Sequence, residues 1–176
     1  MGEELKKRFL TLSFTLFTLL GCASEETNDI YLIPEGYEGY IYAFYNVKGA
    51  PEVEKEGDYE VHNINNQGYF VTSTPDMDYG TVTDKYYYVD ENGNRTKINK
   101  ECVRVGGISG FEDDTDPTNK INIVSTYAEV IKKGCSQSFM SSGEGIHKDN
   151  SDAILGEVIE KYYKSKVRKL NQTSEM

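Results

Sequence analysis

The residues able to do chemistry in this chain are few. Among 176 residues there are three cysteines, two histidines and no tryptophan. His62 falls in a predicted strand and His147 in a glycine-rich loop, and neither has a partner at motif spacing. No H-E-x-x-H helix is present, which argues against a zincin. Gly106-Gly107-Ile108-Ser109-Gly110 is not a nucleophile elbow, because Phe111 stands where G-x-S-x-G needs glycine. P-loop and dinucleotide fingerprints are missing. No catalytic residue and no cofactor is therefore assigned.

Glu112-Asp113-Asp114-Asp116 offers carboxylate oxygens of the kind Ca²⁺ takes. A solvated loop explains this cluster better, and no metal site is assigned. Asp90-Glu91-Asn92-Gly93-Asn94 alternates oxygen side chains, but its glycine is fourth rather than sixth, so it is no EF-hand loop.

Cys102 and Cys135 are the candidate disulfide. In an extracellular setting, two cysteines form one bridge more often than a nucleophile and a spare. Closing this loop adds about 3–4 kcal/mol in the chain-entropy model. Two free thiols are the alternative. Neither cysteine has a helix start or a histidine beside it in sequence to depress its pKa.

Tyrosine is the compositional anomaly. There are 14, and 11 of them fall between Tyr31 and Tyr88. Within Gly39–Val47, Tyr40, Tyr42 and Phe44 alternate with Ile41, Ala43, Tyr45 and Val47; Tyr86 and Tyr88 likewise alternate with Tyr87 and Val89. Two apolar faces on one strand mean burial on both sides, or one aromatic face left at a surface. Tyr40, Tyr42, Tyr86 and Tyr88 are the candidate binding face, a platform for a glycan, a peptide or a protein. The competing reading has these rings filling the core.

The first 22 residues carry an address. Lys6, Lys7 and Arg8 precede the apolar run Phe9–Leu20. As a helix those 12 residues reach roughly 18 Å, short of the roughly 30 Å of a hydrocarbon core. The run fits a signal h-region. It ends in Leu19-Leu20-Gly21-Cys22, which resembles the bacterial lipoprotein signal. That resemblance implies a signal peptide over 1–21, diacylglycerol on Cys22 and a protein held by lipid at the outer face of the cell membrane. Two acyl chains hold stably where one is marginal.

Removing Glu3, Glu4, Lys6, Lys7 and Arg8 with the signal shifts the formal charge from −10 to −11. Such acidity argues against nucleic acid and against adsorption to anionic head groups. It permits cationic partners and keeps the domain soluble beside its membrane.

The elements follow from periodicity and turn chemistry. Residues 22–28 read as a tether, and the domain starts near Asp29. Strands are predicted at Gly39–Val47, Tyr59–Ile64, Gly68–Thr74, Lys85–Asp90, Arg95–Ile98, Cys102–Val105 and Ile121–Tyr127. Asn65-Asn66-Gln67 suggests a hairpin between the second and third. Asn92-Gly93 predicts a type I′ turn between the fourth and fifth. Ile154, Leu155, Val158, Ile159, Tyr162, Tyr163 and Val167 share one face of a helix within Ser151–Leu170, started by Asp149 or Ser151. That stripe docks on the β domain or serves a partner.

Residues Ile33–Ile98 resemble a family of uncharacterised lipoprotein domains from bacilli and their relatives. The resemblance rests on Ile33-Pro34-Glu35-Gly36-Tyr37 with Gly39, Tyr45-Asn46-Val47 with Gly49 and Pro51, Gly57–Val61, Thr72–Pro75, and Tyr86–Asp90 with Gly93, Arg95 and Thr96. It implies a Gram-positive envelope lipoprotein and transfers no activity or ligand.

The expected fold is a mainly β domain over 29–148, an immunoglobulin-like or transthyretin-like β-sandwich, with a C-terminal helix over 149–170 and a tail over 171–176. The expected function is a non-catalytic envelope binding module. The alternatives are a cell-wall enzyme using Glu112 or Asp114, and an accessory subunit acting through the terminal helix.

Overall fold

The structure is a computed structural model and describes residues 25–164. The predicted signal segment, Cys22, and the parts of the predicted helix and tail beyond 164 lie outside the described residues. The strands are β1 (Glu26–Thr27), β2 (Asp29–Pro34), β3 (Gly39–Tyr45), β4 (Glu54–Glu56), β5 (Tyr59–Asn63), β6 (Tyr69–Val71), β7 (Thr81–Val82), β8 (Lys85–Val89), β9 (Arg95–Lys97), β10 (Val103–Asp113) and β11 (Ile121–Val130). Two helices follow, α1 (Gln137–Met140) and α2 (Ser151–Ile159), the latter running into a π turn over Glu160–Lys164.

The fold is mainly β, with a short C-terminal helix. One sheet has the order β4-β5-β2-β8-β9 and the other β10-β11-β3-β6, while β1 and β7 form a small ribbon. β2 pairs in parallel with both β5 and β8. β3 pairs antiparallel with β11 and in parallel with β6.

The layers explain the tyrosines. Tyr31, Ile33 and Tyr86 of the five-stranded sheet pack against Ile41, Ala43, Tyr45, Ala128 and Val130 of the other. The opposite face of β3 meets α2, where Tyr42, Phe44 and Val47 pack with Ile154, Val158 and Tyr163. A strand covered on both sides reads as a continuous apolar run, and all seven residues of β3 are buried.

Of the two readings of the tyrosines, the rings fill the core and the candidate face is not open. Tyr40, Tyr42 and Tyr86 are buried. Tyr88 is half-buried and donates its hydroxyl to the Tyr37 carbonyl at 3.1 Å. Of the 11 tyrosines between Tyr31 and Tyr88, only Tyr79 is exposed. α2 with the loop before it covers Tyr40 and Tyr42, while Tyr86 is buried between the two sheets, so the four rings form no common platform.

Two turns also differ from expectation. β5 and β6 form no hairpin, because they belong to different sheets. The Asn65 side chain accepts from Gln67 N and Tyr69 N at 2.9 and 3.1 Å, and this Asx turn carries the chain across the sandwich. β8 and β9 do pair antiparallel. Their turn has a left-handed backbone at Gly93 alone, with Gly93 N donating to Asp90 O, so it is a type I turn with glycine in the bulge position.

β10 and β11 run longer than predicted. β10 continues through Gly106-Gly107, where the pairing register shifts. A Cβ on Gly106 would lie 2.0 Å from the Tyr127 ring, so only glycine passes there.

Candidate functional site: a buried row of carboxylates and rings

One small pattern, an acid followed two residues later by a ring, recurs on β2, on β5 and at the entry to β8. It occurs as Asp29-x-Tyr31, Glu60-x-His62 and Asp84-x-Tyr86. Residues two apart point to the same face of a strand. The parallel register sets Asp29 beside Glu60, and Tyr31 between His62 and Tyr86. Asp84 directly precedes Lys85, the register partner of Ile30. The outcome is a row of carboxylates beside a row of rings, facing the sandwich interior.

The rings are packed tightly. Tyr31 stacks on Tyr86 with centroids 4.9 Å apart and planes 9° apart. His62 lies 4.8 Å from Tyr31 and meets Phe70 edge-on at 4.9 Å. Tyr45 reaches in from the facing sheet, its hydroxyl 3.1 Å from His62 Nε2.

Polar satisfaction is uneven. Asp84 accepts from Thr27 Oγ1 at 2.6 Å and from the Tyr86 hydroxyl at 3.3 Å. Tyr31 donates to Asp29 Oδ2 at 3.3 Å. Glu60 Oε1 is 3.3 Å from Lys55 Nζ. Asp29 Oδ1 and His62 Nδ1 have no hydrogen-bond partner among the described residues. His62 Nδ1 stands 4.0 Å from Asp29 Oδ2, and both residues are buried. Such orphans are rare in folded interiors.

Burial and the neighbouring charges of Asp84, Glu60 and Asp78 push the Asp29 carboxyl up to about 8. Burial pulls the His62 imidazole down to about 3 and raises Asp84. Strongly perturbed groups gathered at one place mark a functional-site candidate.

A groove opens next to this row. Its volume is about 900 Å³, and its walls include Val82, Asp84, Tyr86, Lys97, Lys100 and Val105. It lies between β9 and β10, the end strands of their sheets. Val82 and Val105 are 51% and 40% exposed.

A second polar cluster lies across the four-stranded sheet. Glu129 is buried, accepts from Arg104 Nη2 at 3.0 Å, and takes backbone N–H bonds from Ile146 and His147 at 2.8 and 2.7 Å. Burial pushes its carboxyl up, but the His147, Arg104 and Ile146 donors outweigh this and hold it below its usual value.

The remaining residues singled out from sequence are placed as follows. Cys102 and Cys135 are joined by a disulfide. Glu112 and Asp114 are exposed near the β10–β11 turn, and Asp114 pairs with Lys120 at 3.3 Å. Asp113 and Asp116 bend back onto their own loop, accepting from the N–H and hydroxyl of Thr115 and Thr118 respectively. Cys22 lies outside the described residues.

Fold and site define a small sandwich domain with one docked helix and a buried carboxylate–ring row. The chain belongs to a family of unknown function (DUF6843), whose profile matches residues 25–139. It is also similar to a crystal structure described as a "Putative Lipoprotein from Bacillus anthracis", at 32% identity and a TM-score of 0.70. That match covers 78% of this chain and 98% of the other. No curated protein matches it. The matched family span includes all three acid-x-ring pairs and both cysteines of the disulfide, and stops before α2.

Proposed function

We propose that this chain is an envelope lipoprotein, held by lipid on Cys22 at the outer face of the membrane. There it acts as a non-catalytic binding module. Its ligand is an extended polypeptide segment with apolar and acidic side chains, laid along the groove between β9 and β10. The observation that carries the reading is that groove. It joins the edges of two strands that end their sheets among the described residues, exposed valines and the exposed Lys97 and Lys100 on an otherwise acidic protein.

Each part has a physical reason. An end strand presents unpaired N–H and C=O groups, which an extended segment satisfies by strand addition. Val82 and Val105 lose water when apolar side chains cover them. The lysines select acidic residues and steer their approach. The volume lies within the range of about 300–1,000 Å³ common to ligand sites. The lipoprotein neighbour and the Leu19–Cys22 signal support the anchor.

Panning a random peptide library against the full chain tests the ligand. Enriched sequences should alternate apolar and acidic residues. They should lose binding to Val105→Asp and weaken with Lys97→Glu and Lys100→Glu. Absence of enrichment, or equal binding to Val105→Asp, overturns the groove reading. Mass spectrometry of the native N-terminus tests the anchor: a diacylglyceryl Cys22 is expected, and an unprocessed chain with a free thiol overturns it.

A further inference from the structure

We propose that Asp29, Glu60 and His62 form a binding site for one divalent transition-metal ion, zinc foremost. Their ligand atoms all lie within 4.8 Å of one another, and all three residues are buried. This inference concerns a different place from the groove and stands independently of it.

The orphaned atoms point to the ion. The Tyr45 hydroxyl occupies His62 Nε2, which leaves Nδ1 as the outward-looking nitrogen. Nδ1 faces Asp29 Oδ2 across 4.0 Å, too far for a hydrogen bond. Asp29 Oδ1 is equally without a partner. A zinc ion bonded to a nitrogen and a carboxylate oxygen at about 2.0–2.2 Å spans such a gap. Buried charge of one sign is tolerated when paired or when it coordinates a metal. Among the described residues no buried cation faces this acidic row, and the Lys55 side chain at its edge is 65% exposed, so a metal ion would supply the positive charge that lets its carboxyls ionise.

The donor set chooses among metals. One imidazole with two carboxylates suits zinc or a neighbouring first-row ion, whereas Ca²⁺ and Mg²⁺ prefer oxygen alone. Supporting contacts are also in place. Tyr45 orients the imidazole, and Tyr31 donates to the Asp29 carboxylate. Such outer contacts fix ligand orientation and raise affinity. Glu60 lies beside the edge strand β4, so an ion enters by displacing Lys55 from its carboxylate. The fourth position is left for water.

The test uses the full chain carrying Cys22→Ser, which removes the one thiol outside the disulfide. Chelator-treated protein is titrated with ZnCl₂ by calorimetry, and Co²⁺ is added separately as a spectroscopic reporter. One Zn²⁺ per chain, a raised melting temperature and a visible Co²⁺ band are expected. Asp29→Asn and Glu60→Gln keep the side-chain volume and should weaken binding on the order of tenfold or more. Their circular dichroism without metal should match the parent. His62→Gln should abolish the Co²⁺ band; if that variant fails to fold, the other two decide. His147→Gln should bind like the parent. Three results overturn the proposal: no stoichiometric uptake, uptake unchanged by both Asp29→Asn and Glu60→Gln, or uptake lost with His147→Gln.

Discussion

Arg104 and Glu129 stand directly opposite one another on β10 and β11, and Glu129 Oε2 accepts from both Nε and Nη2 of Arg104, at 3.1 and 3.0 Å. Both are buried, at 5% and 0% exposure. The Tyr40 hydroxyl accepts a third bond from the same guanidinium. A Cβ on Gly145 would fall 2.0 Å from that hydroxyl and 2.8 Å from Glu129 Oε2, so the loop before α2 seals the pair by virtue of lacking a side chain there.

Breaking this pair from one side leaves a charge buried alone. Glu129→Gln should cost about 3–5 kcal/mol, read as a lower urea midpoint. Adding Arg104→Met should recover part of that loss, because no unpaired charge remains. A Glu129→Gln chain as stable as the parent would show that the pair is solvated in solution.

The same carboxylate sets an acid limit. Its folded pKa lies below the unfolded value, so it contributes stability above roughly pH 4.5 that is lost as pH falls through the lower folded value. Asp149 acts in the same sense. Burial opposes ionisation there, and the Ser151 and Tyr42 hydrogen bonds override it. Urea midpoints measured from about pH 6 to about pH 3 should fall, and Glu129→Gln should flatten that slope. A parallel decline in both proteins would place the acid-sensitive groups elsewhere.

The Cys102–Cys135 bridge spans 33 residues of sequence and ties the start of β10 to the segment before α1. Reduction should lower stability by about 3–4 kcal/mol through the entropy regained by the unfolded chain. Denaturant curves with and without reductant measure it. Coincident curves would mean that the reduced, unfolded chain keeps this loop closed by other contacts.

Much of the scaffold was legible because it is local. The doubly apolar β3, the β8–β9 hairpin and the stripe of α2 each announce themselves within ten residues or so. The candidate metal site was not. His62 lacks a partner at motif spacing because its partners arrive by parallel pairing with β2 and from Tyr45 on the facing sheet. Parallel register is set by crossovers, which leave no short-range mark. One signal was present nonetheless: the acid-x-ring pattern at Asp29, Glu60 and Asp84, the first two on strands and the third just before β8. The tyrosine platform failed for the converse reason. Alternation shows that β3 has two apolar faces, but only tertiary contact decides what covers the second.

That cover also yields a pair of opposite expectations. Ile154 and Val158 are 4% and 0% exposed against β3, and the Tyr163 hydroxyl donates to Asn46 O at 3.3 Å and accepts from Lys48 N at 3.2 Å. The helix is therefore part of the core, and the described part of its apolar stripe packs on its own domain. Ile154→Ala should cost about 2–5 kcal/mol, the range for truncating a buried aliphatic side chain. Gly156 lies on the exposed side of the same helix, without a positive φ, and a Cβ there meets no atom within 4 Å. Gly156→Ala should add about 0.4–1 kcal/mol by restricting the unfolded chain. Thermal melts of the two variants separate the faces. If Ile154→Ala left the melting temperature unchanged, the helix would be undocked in solution and free to serve a partner, which restores the accessory reading.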